Sequence, residues 1–189
     1  MDFIEFARNY GTDKNDLGYV EHVYSKILPD KDTVYNVLEI GVQQGNSILL
    51  WRDYFTKAQV LGVDINFCQK IDSQERITQV VGNAYSQEFI STLTEYDIII
   101  DDGPHTLETM SIFLKEYPSK LKEKGVLILE DIINLNWTPI LTKLIDTSVY
   151  NISVFNMGGK AKTLKLVDMW KQGLDVIVVT RRNYVETMV

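Results

Sequence analysis

Five residues in this sequence have the types and spacing to do chemistry. Asp101, Asp102 and His105 lie in Asp97-Ile-Ile-Ile-Asp-Asp-Gly-Pro-His105, an apolar run that ends in two acids, a tight turn and an imidazole. Glu130 and Asp131 end a second run of the same shape, Gly125-Val-Leu-Ile-Leu-Glu-Asp131, about 25 residues later. Carboxylates gathered at one point suit a hard cation such as magnesium, which keeps positions open for water or a substrate oxygen. An imidazole beside them suits proton abstraction near neutral pH. Side chains alternate along a strand, so Asp101 and Asp102 face opposite ways and at most one is expected to bind an ion. Glu130 and Asp131 can share an ion only if the chain has already curled out of its strand. The bland alternative for each acid is a helix cap.

The elements that must position these residues read as an open α/β sheet, in which ligands bind outside the C-terminal ends of the strands. Val34–Ile40 reads as a first strand and runs into Gly41-Val-Gln-Gln-Gly45-Asn-Ser47. A helix with Ile48, Leu49, Trp51 and Phe55 among its apolar positions follows. The glycine spacing is G-x-x-x-G rather than the dinucleotide fingerprint G-x-G-x-x-G. Gln59–Asp64 reads as the second strand. Asp64 falls 23 positions after Gly41 (64 − 41), near the roughly 20 at which an acid meets ribose hydroxyls. Arg76–Val81 ends in Gly82-Asn83-Ala84, where Asn83 is placed either to meet an adenine edge or to close an Asx turn. The strands over 96–101 and 126–130 come next, with helices over 86–93, 107–117 and 137–145. Val149–Phe155 and Asp175–Thr180 read as an antiparallel pair. The expected fold class is α/β: a Rossmann-like seven-stranded sheet, five parallel βα units closed by a C-terminal antiparallel hairpin, with helices on both faces. Residues 34–189 form that unit. Residues 1–33 read as an N-terminal helical extension, with helices over 3–10 and 19–28 flanking a polar loop, Gly11–Gly18. That loop is a connector or a lid that contacts the cofactor.

Composition narrows the partners. The chain has 189 residues, 45% of them hydrophobic, and a net charge of −7. That charge counts against nucleic acid, whose binding draws on neutralised phosphates. No apolar run approaches the roughly 18 residues of a membrane span, and the N-terminus lacks a signal-peptide pattern, so a cytoplasmic location is expected. Cys68, the single cysteine, excludes an internal disulfide. Lys160, Lys162 and Lys165 form a basic loop, solvated or facing an anionic group. Most of the aromatic residues are expected in the core; Trp137, soon after the second pair of acids, is a candidate to line a substrate pocket instead.

Val37-Leu-Glu-Ile-Gly-Val-Gln-Gln-Gly-Asn-Ser47 with Asp64 resembles the first cofactor motif and ribose-binding acid of the class I S-adenosylmethionine-dependent methyltransferases. The resemblance is closer to the metal-dependent sugar O-methyltransferases of macrolide antibiotic biosynthesis. Those carry an Asp-Asp-Gly-Ser-His turn and a Glu-Asp pair after the next strand, where this chain has Asp101-Asp-Gly-Pro-His105 and Glu130-Asp131. Tyr10-Gly-Thr-Asp-Lys-Asn15 is similar to a segment that many relatives carry upstream of the fold. The resemblance implies S-adenosylmethionine as cofactor, with Glu39, Gly41, Gly45, Ser47, Asp64, Asn83 and Asp101 as the residues expected to contact it. It implies Mg2+ or another divalent cation on Asp102, Glu130 and Asp131, and His105 as the general base. Pro104 stands where serine is usual. The activity it implies is O-methylation of a sugar or polyol hydroxyl, on a glycoside, a sugar nucleotide or a free polyol. A catechol-like acceptor and a catalytically inactive binding subunit are the alternatives. The chain is shorter than the macrolide enzymes, and a homodimer is one way to close its pocket.

Overall fold

The computed structural model describes residues 2–160 and 174–182. Strands β1 (Asn36–Ile40), β2 (Gln59–Asp64), β3 (Ile77–Val81), β4 (Tyr96–Asp101), β5 (Leu121–Ile132), β6 (Tyr150–Asn156) and β7 (Asp175–Arg181) form one sheet in the order β3-β2-β1-β4-β5-β7-β6. The first five pair in parallel, and β7 runs antiparallel to both β5 and β6. The expected C-terminal hairpin is present, with its second strand inserted between β5 and β6. Buried on both faces, Ile98-Ile-Ile100 and Val126–Leu129 carry no polar alternation, as central parallel strands require.

Helices cover both faces. The N-terminal part contributes α1 (Phe3–Ala7), α2 (Asp13–Asp16) and a π-helical turn (Val20–Tyr24) that leads into α3 (Ser25–Ile27). The helix expected over Tyr19–Leu28 is present as one continuous helical stretch to Ile27, with its middle wound as a π-helix. The loop Gly11–Gly18 contains α2, with Thr12 Oγ1 at its N-cap accepting from the Lys14 amide at 3.4 Å. Further on come α4 (Asn46–Tyr54), α5 (Gln87–Thr92), α6 (Leu107–Glu116) and α7 (Thr138–Thr142). On one face Phe3, Tyr24 and Trp51 pack with Val37, Ile98 and Val126; on the other Met110 and Phe113 pack with Leu38, Ile99 and Leu127. Phe3 stacks on Trp51 at 5.9 Å and Tyr24 lies 5.1 Å from it, so the N-terminal segment shares the core of the sheet. No helix among the described residues is long and apolar enough to cross a membrane. Lys162 and Lys165 lie outside the described residues.

Two features position the site. The strand order reverses at β1, which pairs with β2 on one side and β4 on the other, and a crevice opens at such a switch point. The two acid-tipped strands are neighbours, with Asp101 opposite Leu129. β5 is longer than expected, and its pairing with β7 shifts register between Leu129 and Ile132. The bulge falls on Glu130 and Asp131, and Asp131 takes φ +56°. A bulge re-aims side chains that strict alternation would send to opposite faces, so the curl required for both acids to serve one site is present.

Candidate active site

The glycine turn closes the C-terminal end of β1. Gly41 adopts φ +90°, and a Cβ there would lie 1.9 Å from the backbone oxygen of Asp102. Gly45 adopts φ +74°, with Ile71 Cγ2 2.5 Å from its Cβ position. Both glycines are thus demanded by the protein's own packing before any ligand arrives. Asp64 ties the turn down: Oδ2 accepts from the amides of Val42 at 2.8 Å and Gln43 at 3.2 Å, and Oδ1 accepts from that of Asn66 at 2.9 Å. Burial alone would raise the Asp64 pKa, but the converging backbone donors outweigh it and lower the value. Asn83 Oδ1 accepts from the Tyr85 amide at 2.9 Å, closing the Asx turn. A cavity of about 860 Å³ lies over these residues, within the size range of small-molecule sites. Gly41, Asp64 and Asn83 line it from the strand ends, Ser47 from α4, Gly11 to Asp13 and Asp16 from the N-terminal segment, and Asp102, His105 and Asp131 from the ends of the acid-tipped strands.

At the acidic end, one cation sits among the carboxylates. Lys14 Nζ lies 2.6 Å from Asp102 Oδ2 and 3.3 Å from Glu39 Oε1, and donates a short hydrogen bond to Glu130 Oε2. Its side chain is 1% exposed. Burial would lower the Lys14 pKa, but Asp102, Glu130 and Glu39 together raise it well above the usual lysine value, so the ammonium is the counter-charge of the cluster. Tyr24 donates its hydroxyl to Glu130 Oε1 at 2.7 Å, and Tyr19 donates to Asp131 Oδ1. Burial, with Asp102 nearby, pushes Asp131 up to about 6. His105 Nε2 lies 3.5 Å from Asp131 Oδ2 and 3.8 Å from Asp102 Oδ1. His105 adopts φ +53°, a conformation that non-glycine residues rarely hold without support from their surroundings.

The expected site residues therefore divide. Asp102, His105 and Asp131 come together, each offering one ligand atom within 4.8 Å of the others, a spacing and donor set that fit a small divalent cation. Glu130 lies behind them, its two oxygens engaged by Lys14 and Tyr24. The structure places Glu39, Gly45 and Asp101 away from the cavity lining. Glu39 is fully buried on the N-terminal side of the sheet, accepting from Trp51 Nε1 at 2.7 Å, and burial pushes it up to about 7. Asp101 faces the other way, accepting from the Tyr85 hydroxyl at 2.6 Å and the Gly103 amide at 3.1 Å; it braces the turn. Lys14, Tyr19 and Tyr24 were not marked as site residues by the sequence. The one signal for Lys14 was its place in Tyr10-Gly-Thr-Asp-Lys-Asn15.

Comparison with known proteins gives the family and the fold likeness. The family described as "Methyltransferase domain" matches residues 38–132, about half of the chain. The chain is 29% identical to the mycinamicin VI 2''-O-methyltransferase of Micromonospora griseorubida, over 53% of this chain and 28% of that protein. It is also 29% identical to the 8-demethyl-8-alpha-L-rhamnosyl tetracenomycin-C 2'-O-methyltransferase of Streptomyces olivaceus, over 69% of this chain and 38% of that protein. The chain thus spans about a third of the length of these curated relatives. In fold it is similar to the MycE methyltransferase of the mycinamycin biosynthetic pathway, solved with Mg, SAH and mycinamycin VI. The TM-score is 0.67 at 20% identity, covering 100% of this chain and 57% of that one. The glycine turn, the strand carrying Asp64 and both acid-tipped strands all fall inside the matched residues, and the chain belongs to the methyltransferase-domain family.

Proposed function

We propose that this chain is an S-adenosylmethionine-dependent, divalent-metal-dependent O-methyltransferase domain acting on a sugar or polyol hydroxyl. The observation that carries the reading is the meeting of Asp102, His105 and Asp131 at the edge of the cavity that the glycine turn, Asp64 and Asn83 also line. A metal-binding group and a base share one chamber with a nucleotide-type turn.

Asp102 and Asp131 would hold the cation. The turn at 41–45, Ser47, Asp64 and Asn83 would hold the cofactor, with Asp64 keeping lone pairs for ribose hydroxyls beyond those its backbone donors use. When bound, the cation would acidify the acceptor hydroxyl and S-adenosylmethionine would supply the methyl group to its oxygen. His105 takes the hydroxyl proton at Nε2, the nitrogen within 4 Å of both carboxylates. The segment 11–16 closes the cavity over the glycine turn, where Asn46 Nδ2 donates to the Gly11 carbonyl at 2.5 Å, and so limits the access of water. The sugar class is supported by relatives whose names place the methyl group on rhamnosyl tetracenomycin and on olivosyl-oleandolide.

The test is transfer of a labelled methyl group from S-adenosylmethionine to a panel of glycosides, sugar nucleotides and catechols. Transfer to glycosides or sugar nucleotides is expected. Transfer to catechols alone would overturn the substrate class, and failure to bind S-adenosylmethionine in calorimetry would overturn the reading as a whole.

A further inference from the structure

The two carboxylates at the front of the cluster are treated alike. Asp102 gives Oδ2 to Lys14, leaving Oδ1 toward His105; Asp131 gives Oδ1 to Tyr19, leaving Oδ2 toward His105. Both donors come from the N-terminal segment, and neither can easily move. Lys14 is held by Glu39 and Glu130 as well, and Tyr19 is 1% exposed in the core. The backbone of Asp131 is set by the β5 bulge and its positive φ.

We infer that Lys14 and Tyr19 are positioning residues that make Asp102 and Asp131 present a single oxygen each, and that this one-oxygen presentation selects a small octahedral cation such as magnesium over calcium. Magnesium takes one oxygen from each carboxylate at short distance and keeps several waters. Calcium accepts six to eight oxygens at longer distance and commonly grips a carboxylate by both. The engaged oxygen of each carboxylate keeps a second lone pair, but its donor holds the group with the other oxygen toward His105, so a grip by both oxygens would require the carboxylate to turn against Lys14 or Tyr19. The inference rests on the proposed role of Asp102 and Asp131 in holding the cation, and adds to it the residues that decide which cation.

Tyr19→Phe keeps the buried ring and removes only the hydroxyl, so it separates positioning from packing. Calorimetric affinities for Mg2+ and Ca2+ would be measured on the wild-type chain, on Tyr19→Phe and on Lys14→Met, with no cofactor or acceptor present. The wild-type chain is expected to prefer Mg2+. In Tyr19→Phe the Mg2+-to-Ca2+ affinity ratio is expected to fall by about tenfold or more, the scale on which partners of metal ligands act. A ratio unchanged from wild type in Tyr19→Phe would overturn the inference, whether the two affinities fall together or stay put, and this holds even if Lys14→Met does not fold. Wild-type protein that binds neither cation would overturn the metal reading, and the inference with it.

Discussion

Gly41 and Asp102 touch across the switch point: the Cβ position of the first lies 1.9 Å from the backbone oxygen of the second. The Asp102 amide also donates to the Ile40 carbonyl at 2.9 Å, so the glycine turn and the first acid of the metal-binding group are one rigid joint. Gly41→Ala must therefore displace Asp102 as well as strain its own backbone. A loss of about 2–4 kcal/mol is expected from strain and overpacking, read from urea unfolding. Gly82→Ala, where nothing lies within 4 Å of the Cβ position, is the control and should change stability by no more than about 0.5 kcal/mol. Equal, small effects at the two glycines would contradict the joint.

Lys14→Met would leave Glu39, Asp102 and Glu130 without their cation. Removing one partner from a buried ion pair costs about 3–5 kcal/mol, because the charges left behind stay buried. Unfolding in metal-free buffer at neutral pH should show a loss of that order, and the double variant Lys14→Met/Glu130→Gln should recover part of it. A single variant as stable as wild type would mean that Lys14 is not the counter-charge of the cluster.

Much of this was legible in the sequence, and the remainder has a physical reason for having been hidden. Runs such as Ile98-Ile-Ile100 specify buried strands by themselves, and their acid ends marked the site. The distance of Asp64 beyond Gly41 pointed to the strand end beside the glycine turn, where its Oδ2 accepts from Val42 and Gln43. Lys14 was not legible because its partners stand 88 and 116 residues away at Asp102 and Glu130, and lysine is seldom buried unless paired. Helical spacing rightly marked Tyr19 and Tyr24 as core, but periodicity reports the ring and not where the hydroxyl goes. Glu39, expected beside the cofactor, lies off the cavity lining for a related reason. Alternation along β1 puts it on the opposite face from Leu38 and Ile40, yet only the packing of Trp51 against that face settles that it is sealed from the cavity.

Asp101 gives stability a pH dependence of definite sign. Burial pushes its carboxyl from 3.8 up to about 7, despite the hydrogen bonds from Tyr85 and Gly103 that pull the other way. The folded chain therefore keeps a proton that the unfolded chain releases. The stability this contributes is full below pH 4 and is lost as pH rises to 7. Asp101→Asn keeps an acceptor for Tyr85 and removes the titration, so the decline between pH 4 and 7 should be shallower in the variant. Glu39, raised to about 7, and Asp131, raised to about 6, will preserve part of the slope. Urea midpoints measured across that range decide it; parallel wild-type and variant curves would contradict the assignment.

His105→Ala removes the group placed to take the acceptor proton without touching the glycine turn or Asp64. Turnover should fall by about 10²–10⁴-fold, the usual contribution of a general base, while the dissociation constant for S-adenosylmethionine stays where it was. Undiminished turnover would remove His105 from the chemistry.

The most direct test of the Asp102, His105 and Asp131 group is the rate of methyl transfer from S-adenosylmethionine to a glycoside acceptor, measured with magnesium and again in excess chelator. If these residues assemble a metal-assisted base, chelation should lower the rate by about a hundredfold or more, and restored magnesium should return it. Full activity in the chelator would contradict the account.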